Sequence, residues 1–285
     1  QGSQFPGMGY DLYKSNEKVK SLFNEADDVL GFALSNVMFN GNEEELKQTK
    51  ITQPAIFLHS IAKLSVLQET HSPSAVAGHS LGEFSSLVAN NTISFEDGLK
   101  LVSLRSKAMQ KSCENSNGIM AAILGLDDKT IKETCESFDG NVTAANFNCP
   151  GQVVISGEIN AVKKICEKFN EIGARRSILL PVGGAFHSNL MNDAKSELKE
   201  AIHKTKFNNP SCPIYQNFTA QKTTNIDIIK ENLINQLTAP VLWTQTINNM
   251  VDDGYLDYIE VGPGKVLQGL IRKINRETTT QSVLS

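Results

Sequence analysis

The stretch Ser74-Ala75-Val76-Ala77-Gly78-His79-Ser80-Leu81-Gly82-Glu83 decides how this chain is read. Its first four residues are small or apolar and suit a short buried strand, and from Glu83 to Ala89 the pattern turns helical. Between them sits Gly78-x-Ser80-x-Gly82, so the sequence predicts strand, sharp turn and helix in succession, with the serine hydroxyl exposed at the turn. The helix that follows aims its first N–H groups at that hydroxyl. The Leu81 N–H is therefore placed to stabilise an oxyanion formed when Ser80 attacks a carbonyl. The competing reading, a glycine-rich turn with an incidental serine, fits the flanking strand and helix less well.

Working outward, apolar residues recur at helical spacing over 16–29 and over 53–68, the second segment with Pro54 near its start, as helix first turns allow. Downstream, Ser94-x-x-Asp97 opens a long amphipathic helix over 94–111 with Phe95, Leu99, Val102 and Met109 on one face. Then come a strand (119–126), a helix (128–138), strands (141–145 and 152–156), a helix (161–172) and a strand (175–182). That order, βαββαβ, is the split βαβ or ferredoxin-like unit, complete in itself within about 65 residues. Beyond it the pattern gives helix (189–204), a strand near 213–217, helices (226–237 and 241–252), a strand (257–261) and a last helix (264–275). The expected organisation is one α/β domain, 1–115 and 184–285, interrupted by an inserted subdomain, 116–183.

The 285 residues predict about two domains, or one with an insertion, and enough chain to bury a core without metal or disulfide staples. Hydrophobic residues at 40% and charged residues at 20% exclude collagen-like, coiled-coil and disordered readings. With 27 Lys+Arg against 31 Asp+Glu, the net charge of −4 provides no global positive field for nucleic acid or anionic lipid, so neither is an expected partner. No apolar run approaches the roughly 20 residues a bilayer requires. The cysteines Cys113, Cys135, Cys149, Cys166 and Cys212 are scattered, without a C-x-x-C pair, so no metal site is expected and a reducing, cytoplasmic setting is the simpler reading.

A serine nucleophile needs a base. His203 lies on the flank of a helix, His71 in a polar loop, His59 among apolar helix positions that suit a core histidine, and His79 points away if the turn is sharp. His187 remains, in Gly183-Gly184-Ala185-Phe186-His187-Ser188, where the insert returns the chain to the main domain and a cleft is expected. A hydrolase triad would place an acid and then a histidine after the serine, and only His203 follows His187. A Ser80–His187 dyad, its imidazole oriented by a carbonyl, fits better. Arg105 falls between Leu101, Val102, Ala108 and Met109 at helical spacing, so its guanidinium shares an inward face and needs an anion. Either an acidic residue of the fold or a substrate carboxylate would serve.

These residues, with Gln1-Gly2-Ser3-Gln4, Gly7-Met8-Gly9, Gln53-Pro54-Ala55, Ala145-Asn146-Phe147-Asn148 and Val261-Gly262-Pro263-Gly264-Lys265, resemble the malonyl-CoA:acyl carrier protein transacylases in the same order along nearly the whole chain. The resemblance implies an α/β-hydrolase-like core with a ferredoxin-like insert and a malonyl group carried from malonyl-CoA to acyl carrier protein through malonyl-serine. It implies Ser80 as nucleophile, His187 as base, Arg105 on the malonyl carboxylate, the N–H groups of Leu81 and Gln1 as oxyanion hole, and the main-chain carbonyl of Gln236 orienting His187. No metal or redox cofactor is implied, and a monomer is expected. Lys265, Arg272, Lys273 and Arg276, read on the last helix, are candidates for docking the acidic carrier. A serine hydrolase using the same dyad and a non-catalytic carrier-binding module are the rival readings.

Overall fold

The computed structural model describes residues 2–68 and 70–283. The N-terminal part is helical: α1 (Tyr10–Ser15), α2 (Glu17–Leu30), α3 (Leu34–Asn40), α4 (Glu43–Lys47) and α5 (Thr49–Leu67). The segments α1, α3 and α4 were too short for a periodic signal to mark them in sequence. Helix α5 starts a turn before the position Pro54 suggested. The carbonyl that Pro54 cannot bond belongs to exposed Lys50, where water can reach it. Almost every side of α5 is buried, with Ala55, Phe57, Leu58 and Ala62 fully enclosed, so it is the axis of the main core.

Strand β1 (Val76–Ala77), helix α6 (Gly82–Ala89) and helix α7 (Phe95–Asn115) follow as the sequence predicts, with Ser94 capping α7 through Asp97 N–H. The insert comprises β2 (Gly118–Leu124), α8 (Asp128–Glu136), β3 (Val142–Cys149), β4 (Gln152–Glu158), α9 (Ile159–Glu171) and β5 (Arg176–Leu179). Its strands form one antiparallel sheet in the order β3-β4-β2-β5. Alternation along the strands divides the sheet between two cores. Ala121, Ile123, Val153 and Ile155 pack with Ile131, Val162, Ile165 and Phe169 of the two helices, while Met120, Ala122 and Val154 join the main core. The three strands β2, β3 and β4 are thus covered on both faces, while Ile178 and Leu179 of the edge strand β5 are exposed.

The rest of the chain is α10 (Asn192–Lys204), β6 (Ile214–Tyr215), β7 (Lys222–Thr223), α11 (Ile226–Asn235), α12 (Trp243–Asp252), β8 (Asp257–Glu260), α13 (Val266–Ile274) and β9 (Thr279–Ser282). Strand β1 pairs parallel with β6, which pairs antiparallel with β7; β8 pairs parallel with β9 across α13. Strand β6 stops short of the 217 end read from the sequence, where the Asn217 N–H goes to the Glu83 carboxyl group instead of a neighbouring strand. Lys265 and Arg276 lie outside α13, a correction to the reading that put them on the last helix; Arg272 and Lys273 are in it. A bulge at Ala145 lets β3 bond the chain after α11, with Phe147 N–H to Val241 O at 2.9 Å and Val241 N–H to Ala145 O at 2.9 Å. That seam ties the insert to the segment carrying Gln236. Among the described residues no helix is long and apolar enough to cross a membrane, no cluster of metal-ligating side chains is present, and the five cysteines are free and buried.

Candidate active site

The turn between β1 and α6 is held by close backbone approach. A Cβ on Gly78 would lie 2.0 Å from the Gly82 carbonyl carbon, so only hydrogen fits there. Ser80 takes a left-handed conformation, φ 52°, which costs a non-glycine residue energy unless its surroundings fix it. Asn217, just past β6, supplies that fixing. Its Oδ1 accepts the Ser80 N–H at 2.6 Å and its Nδ2 donates to Gly78 O at 2.7 Å. Leu81 begins the turn into α6, so its N–H stands at a helix N-terminus immediately after Ser80. Gln1, the other residue read as an oxyanion-hole contributor, lies outside the described residues.

His187 arrives on the loop after β5, also at positive φ, 57°. Buried Ala185 and Phe186 anchor that loop, and the Ser188 hydroxyl donates back to Ala185 O at 2.7 Å. Gly184 meets the core so closely that a Cβ would stand 2.1 Å from Cys113 Sγ. The result brings His187 Nε2 to 2.8 Å from Ser80 Oγ and His187 Nδ1 to 2.9 Å from the main-chain oxygen of Gln236. A carbonyl can only accept, so Nδ1 carries the hydrogen and Nε2 presents a lone pair to the serine hydroxyl. Burial, reinforced by the charge on Arg105, pushes the imidazole down to about 3, so it is neutral near pH 7. A neutral imidazole against a serine hydroxyl can take its proton.

Arg105, from the inner face of α7, is 1% exposed. One arm donates to Gln53 Oε1 at 2.6 Å; the other donates to Ser80 Oγ at 3.1 Å and Gln236 Oε1 at 3.3 Å. All three partners are neutral, and among the described residues no carboxylate forms an ion pair with it. Of the two anions left open by the sequence, an acidic residue in direct contact is absent among the described residues. Burial lowers its pKa to about 10, which still leaves it charged at neutral pH.

Of the remaining histidines, His79 turns away from Ser80 as expected, meeting Asn148 Oδ1 at 2.9 Å through Nε2. His59 is buried in α5; His71 and His203 are exposed. The sequence reading assigned no role to four groups that complete the site. Gln53 holds Arg105, Asn217 clamps the elbow, Glu83 accepts the Asn217 N–H, and the Gln236 side chain joins Arg105 to Ser80 O through Nε2, at 2.9 Å. The available signal was their polarity: Gln53 and Glu83 interrupt otherwise apolar helix faces. A cavity of about 380 Å³ opens between insert and core, with Ser188 and Thr238 in its wall beside Cys135, Phe138 and Thr143.

An elbow serine held between a neutral imidazole and a guanidinium, at the junction of an α/β core and an inserted sheet, has the parts that acyl transfer needs. The comparisons agree: residues 1–284 match the model of the acyl transferase domain, and the chain belongs to that family. It is an acyltransferase. Its relatives include the malonyl CoA-acyl carrier protein transacylase of Bacillus subtilis (strain 168), 43% identical over 99% of this chain and 90% of that protein. An acyl carrier protein S-malonyltransferase from Vibrio cholerae O1 biovar eltor superposes with a TM-score of 0.95 at 40% identity, covering 99% of this chain and 94% of its own. A malonyl-transacylase solved in complex with a type II PKS acyl-carrier protein gives 0.95 at 38% identity, covering 99% and 93%.

Proposed function

We propose that this chain moves a malonyl group from malonyl-CoA to the phosphopantetheine thiol of acyl carrier protein, in fatty acid biosynthesis, through a malonyl-serine intermediate. The observation that carries the reading is the single hydroxyl, Ser80 Oγ, shared by His187 Nε2 at 2.8 Å and the Arg105 guanidinium at 3.1 Å. The base and the group that would recognise a carboxylate converge on one reacting atom.

In the first half-reaction His187 Nε2 takes the Ser80 proton as Oγ bonds to the thioester carbonyl carbon. The oxyanion is met by the N–H groups of Leu81 and Gln1. As the tetrahedral intermediate collapses, the C–S bond breaks and the CoA sulfur leaves with the proton from Nε2. The second half-reaction reverses these steps with the pantetheine thiol as attacker. Arg105 leaves Ser80 Oγ for the malonyl carboxylate, and the Gln236 carbonyl keeps the imidazole in its tautomer throughout. The thioester is already activated, so the mechanism uses no metal or redox cofactor.

The fold that accompanies this reading is an α/β-hydrolase-like core, 1–115 and 184–285, with a ferredoxin-like insert, 116–183. The strand order β3-β4-β2-β5 with α8 and α9 between the strands supports it, as does the parallel β1–β6 pairing behind the elbow. Malonyl-CoA and acyl carrier protein are the proposed partners of a cytoplasmic monomer that engages neither nucleic acid nor membrane. The test is intact-protein and peptide mass spectrometry after brief exposure to malonyl-CoA. A malonyl adduct on the Ser80 peptide is expected, absent in Ser80→Ala and slowed roughly 10²- to 10⁴-fold in His187→Ala. An unmodified Ser80 peptide under conditions that load a relative removes the proposal. Release of free malonate at full rate without carrier would instead identify a hydrolase.

A further inference from the structure

Glu83 is fully buried in the first turn of α6, three residues past Ser80. One carboxyl oxygen accepts the Asn217 N–H; the other, Oε2, has no hydrogen-bond partner among the described residues. Among the described residues no basic side chain forms an ion pair with it. The same polar network holds Arg105, whose partners are neutral and whose Nε is likewise unpartnered. Gln236 and Asn217 connect the two, the Gln236 amide donating to Asn217 Oδ1 at 3.4 Å while its oxygen accepts from Arg105. A buried carboxyl and a buried guanidinium therefore sit in one polar network, Arg105 to Gln236 to Asn217 to Glu83, in which the charge of each acts on the titration of the other.

We propose that Glu83 is a specificity-determining residue: its carboxyl competes with the acyl group's own carboxylate for the field of Arg105, so its charge sets how strongly the site prefers an anionic acyl group. The inference rests on the malonyl reading above. Were Glu83 in direct contact, it would occupy the fork and exclude the substrate; held back by Asn217, it leaves the fork open and acts through space. Burial, opposed by the Asn217 N–H, by Arg105 and by the nearby Gln236 and Gln216 side chains, pushes the carboxyl up to about 8. Near neutrality Glu83 is then largely protonated and the whole of the Arg105 charge is available to the acyl group. Above that range it ionises, and the site becomes less receptive to a second anion.

The other titratable groups around it do not change charge in this interval. Arg105 on α7 stays protonated, at about 10. His187 on the loop after β5, at about 3, His79 in the elbow, at about 4, and His59 on α5, at about 4, stay neutral. Half-buried Lys63, farther along α5, is shifted down by its burial, against the field of Glu260.

The experiment measures kcat/KM for Ser80 loading from malonyl-CoA and acetyl-CoA between about pH 6.5 and about pH 9. In the wild-type chain the malonyl-over-acetyl ratio is expected to fall roughly three- to thirtyfold across that range. Glu83→Gln, which keeps an oxygen for the Asn217 N–H but cannot ionise, is expected to hold the high ratio throughout. A wild-type ratio that does not change with pH, or an equal fall in Glu83→Gln, overturns the proposal. If that variant does not fold, proton uptake on loading the wild-type chain near pH 8 decides it: malonyl loading should take up a fraction of a proton more than acetyl loading, and equal uptake overturns the idea. A chain that accepts no malonyl group on Ser80 fails the function proposed above instead, so the two failures are distinct.

Discussion

His187 Nδ1 lies 2.9 Å from the main-chain oxygen of Gln236, so a peptide carbonyl occupies the position that a carboxylate holds in a serine triad. A carbonyl fixes the tautomer as a carboxylate does, but it brings no negative charge to stabilise an imidazolium. With Arg105 also nearby, the balance runs strongly toward the neutral ring.

A base depressed to about 3 remains unprotonated far below the ordinary histidine range. The kcat/KM for acyl transfer should therefore show no inflection near the usual histidine value of about 6.5 and stay level to about pH 5. A tenfold loss for each pH unit below about 6.5 would mean that His187 titrates normally and that burial does not control it.

Stability carries the same shifts with signs that oppose one another. His187 at about 3 and His79 and His59 at about 4 bind protons less readily in the folded chain than in the unfolded one. Their contribution is present above about pH 6.5 and is lost as pH falls toward their folded values. Glu83, raised to about 8, is the reverse: the folded chain holds its proton where the unfolded chain has lost it, so this contribution disappears as pH rises from about 4.5 to about 8. Urea denaturation across pH should thus give maximum stability near about pH 6.5, with declines on both sides. A flat curve would show that these groups are solvated in the folded state.

Gln236 separates main chain from side chain. Its carbonyl orients His187, while its amide bridges Arg105 and Ser80 O. Gln236→Ala leaves the carbonyl in place and removes the bridge, at a cost of about 1–3 kcal/mol for buried partners left unmatched. Acetyl loading should survive better than malonyl loading, because the deficit falls on Arg105. Equal loss of both would mean that the substitution has displaced the imidazole.

Arg105→Ala should lower the malonyl-over-acetyl ratio about ten- to hundredfold, the worth of a charge-assisted pair in a cleft. Arg105→Lys should recover only part, because an ammonium cannot reproduce the two-armed hold on Gln53 and on the Ser80 and Gln236 side. An unchanged ratio in both variants would assign Arg105 to the structure of the elbow alone.

The reach of the sequence follows from how far each signal extends along the chain. Strand, turn and helix around Ser80, the alternation of the insert and the inward face bearing Arg105 are local patterns, and each is legible from a few consecutive residues. The short helices α1, α3 and α4 and the strands β7 and β9 carry too few residues to repeat any period, and they form because the core around α5 and the edge beside β8 give them surfaces to cover. The clamp of Asn217 on Ser80 joins positions 137 residues apart, and Gln53 reaches Arg105 across 52. Such pairings depend on tertiary approach and leave no spacing to read. Gln236 came from family resemblance, and only the folded chain shows that it uses both its carbonyl and its amide.

The elbow itself gives the sharpest contrast between neighbouring glycines. At Gly78 an added Cβ would stand 2.0 Å from the Gly82 carbonyl carbon and 2.4 Å from the Glu83 nitrogen, both backbone atoms fixed by α6. At Gly82 the same atom meets nothing within 4 Å. Gly78→Ala must therefore push β1 away from α6, breaking the Asn217 contacts with Gly78 O and Ser80 N that hold the serine at positive φ. A loss of several kcal/mol, about 3 or more, is expected, enough to leave little folded protein. Gly82→Ala should fold with stability within about 1 kcal/mol of the parent, since alanine favours the helix it enters. Thermal denaturation of the two variants side by side checks this: similar melting temperatures would mean that the turn can open without cost, and that neither glycine is needed to present Ser80.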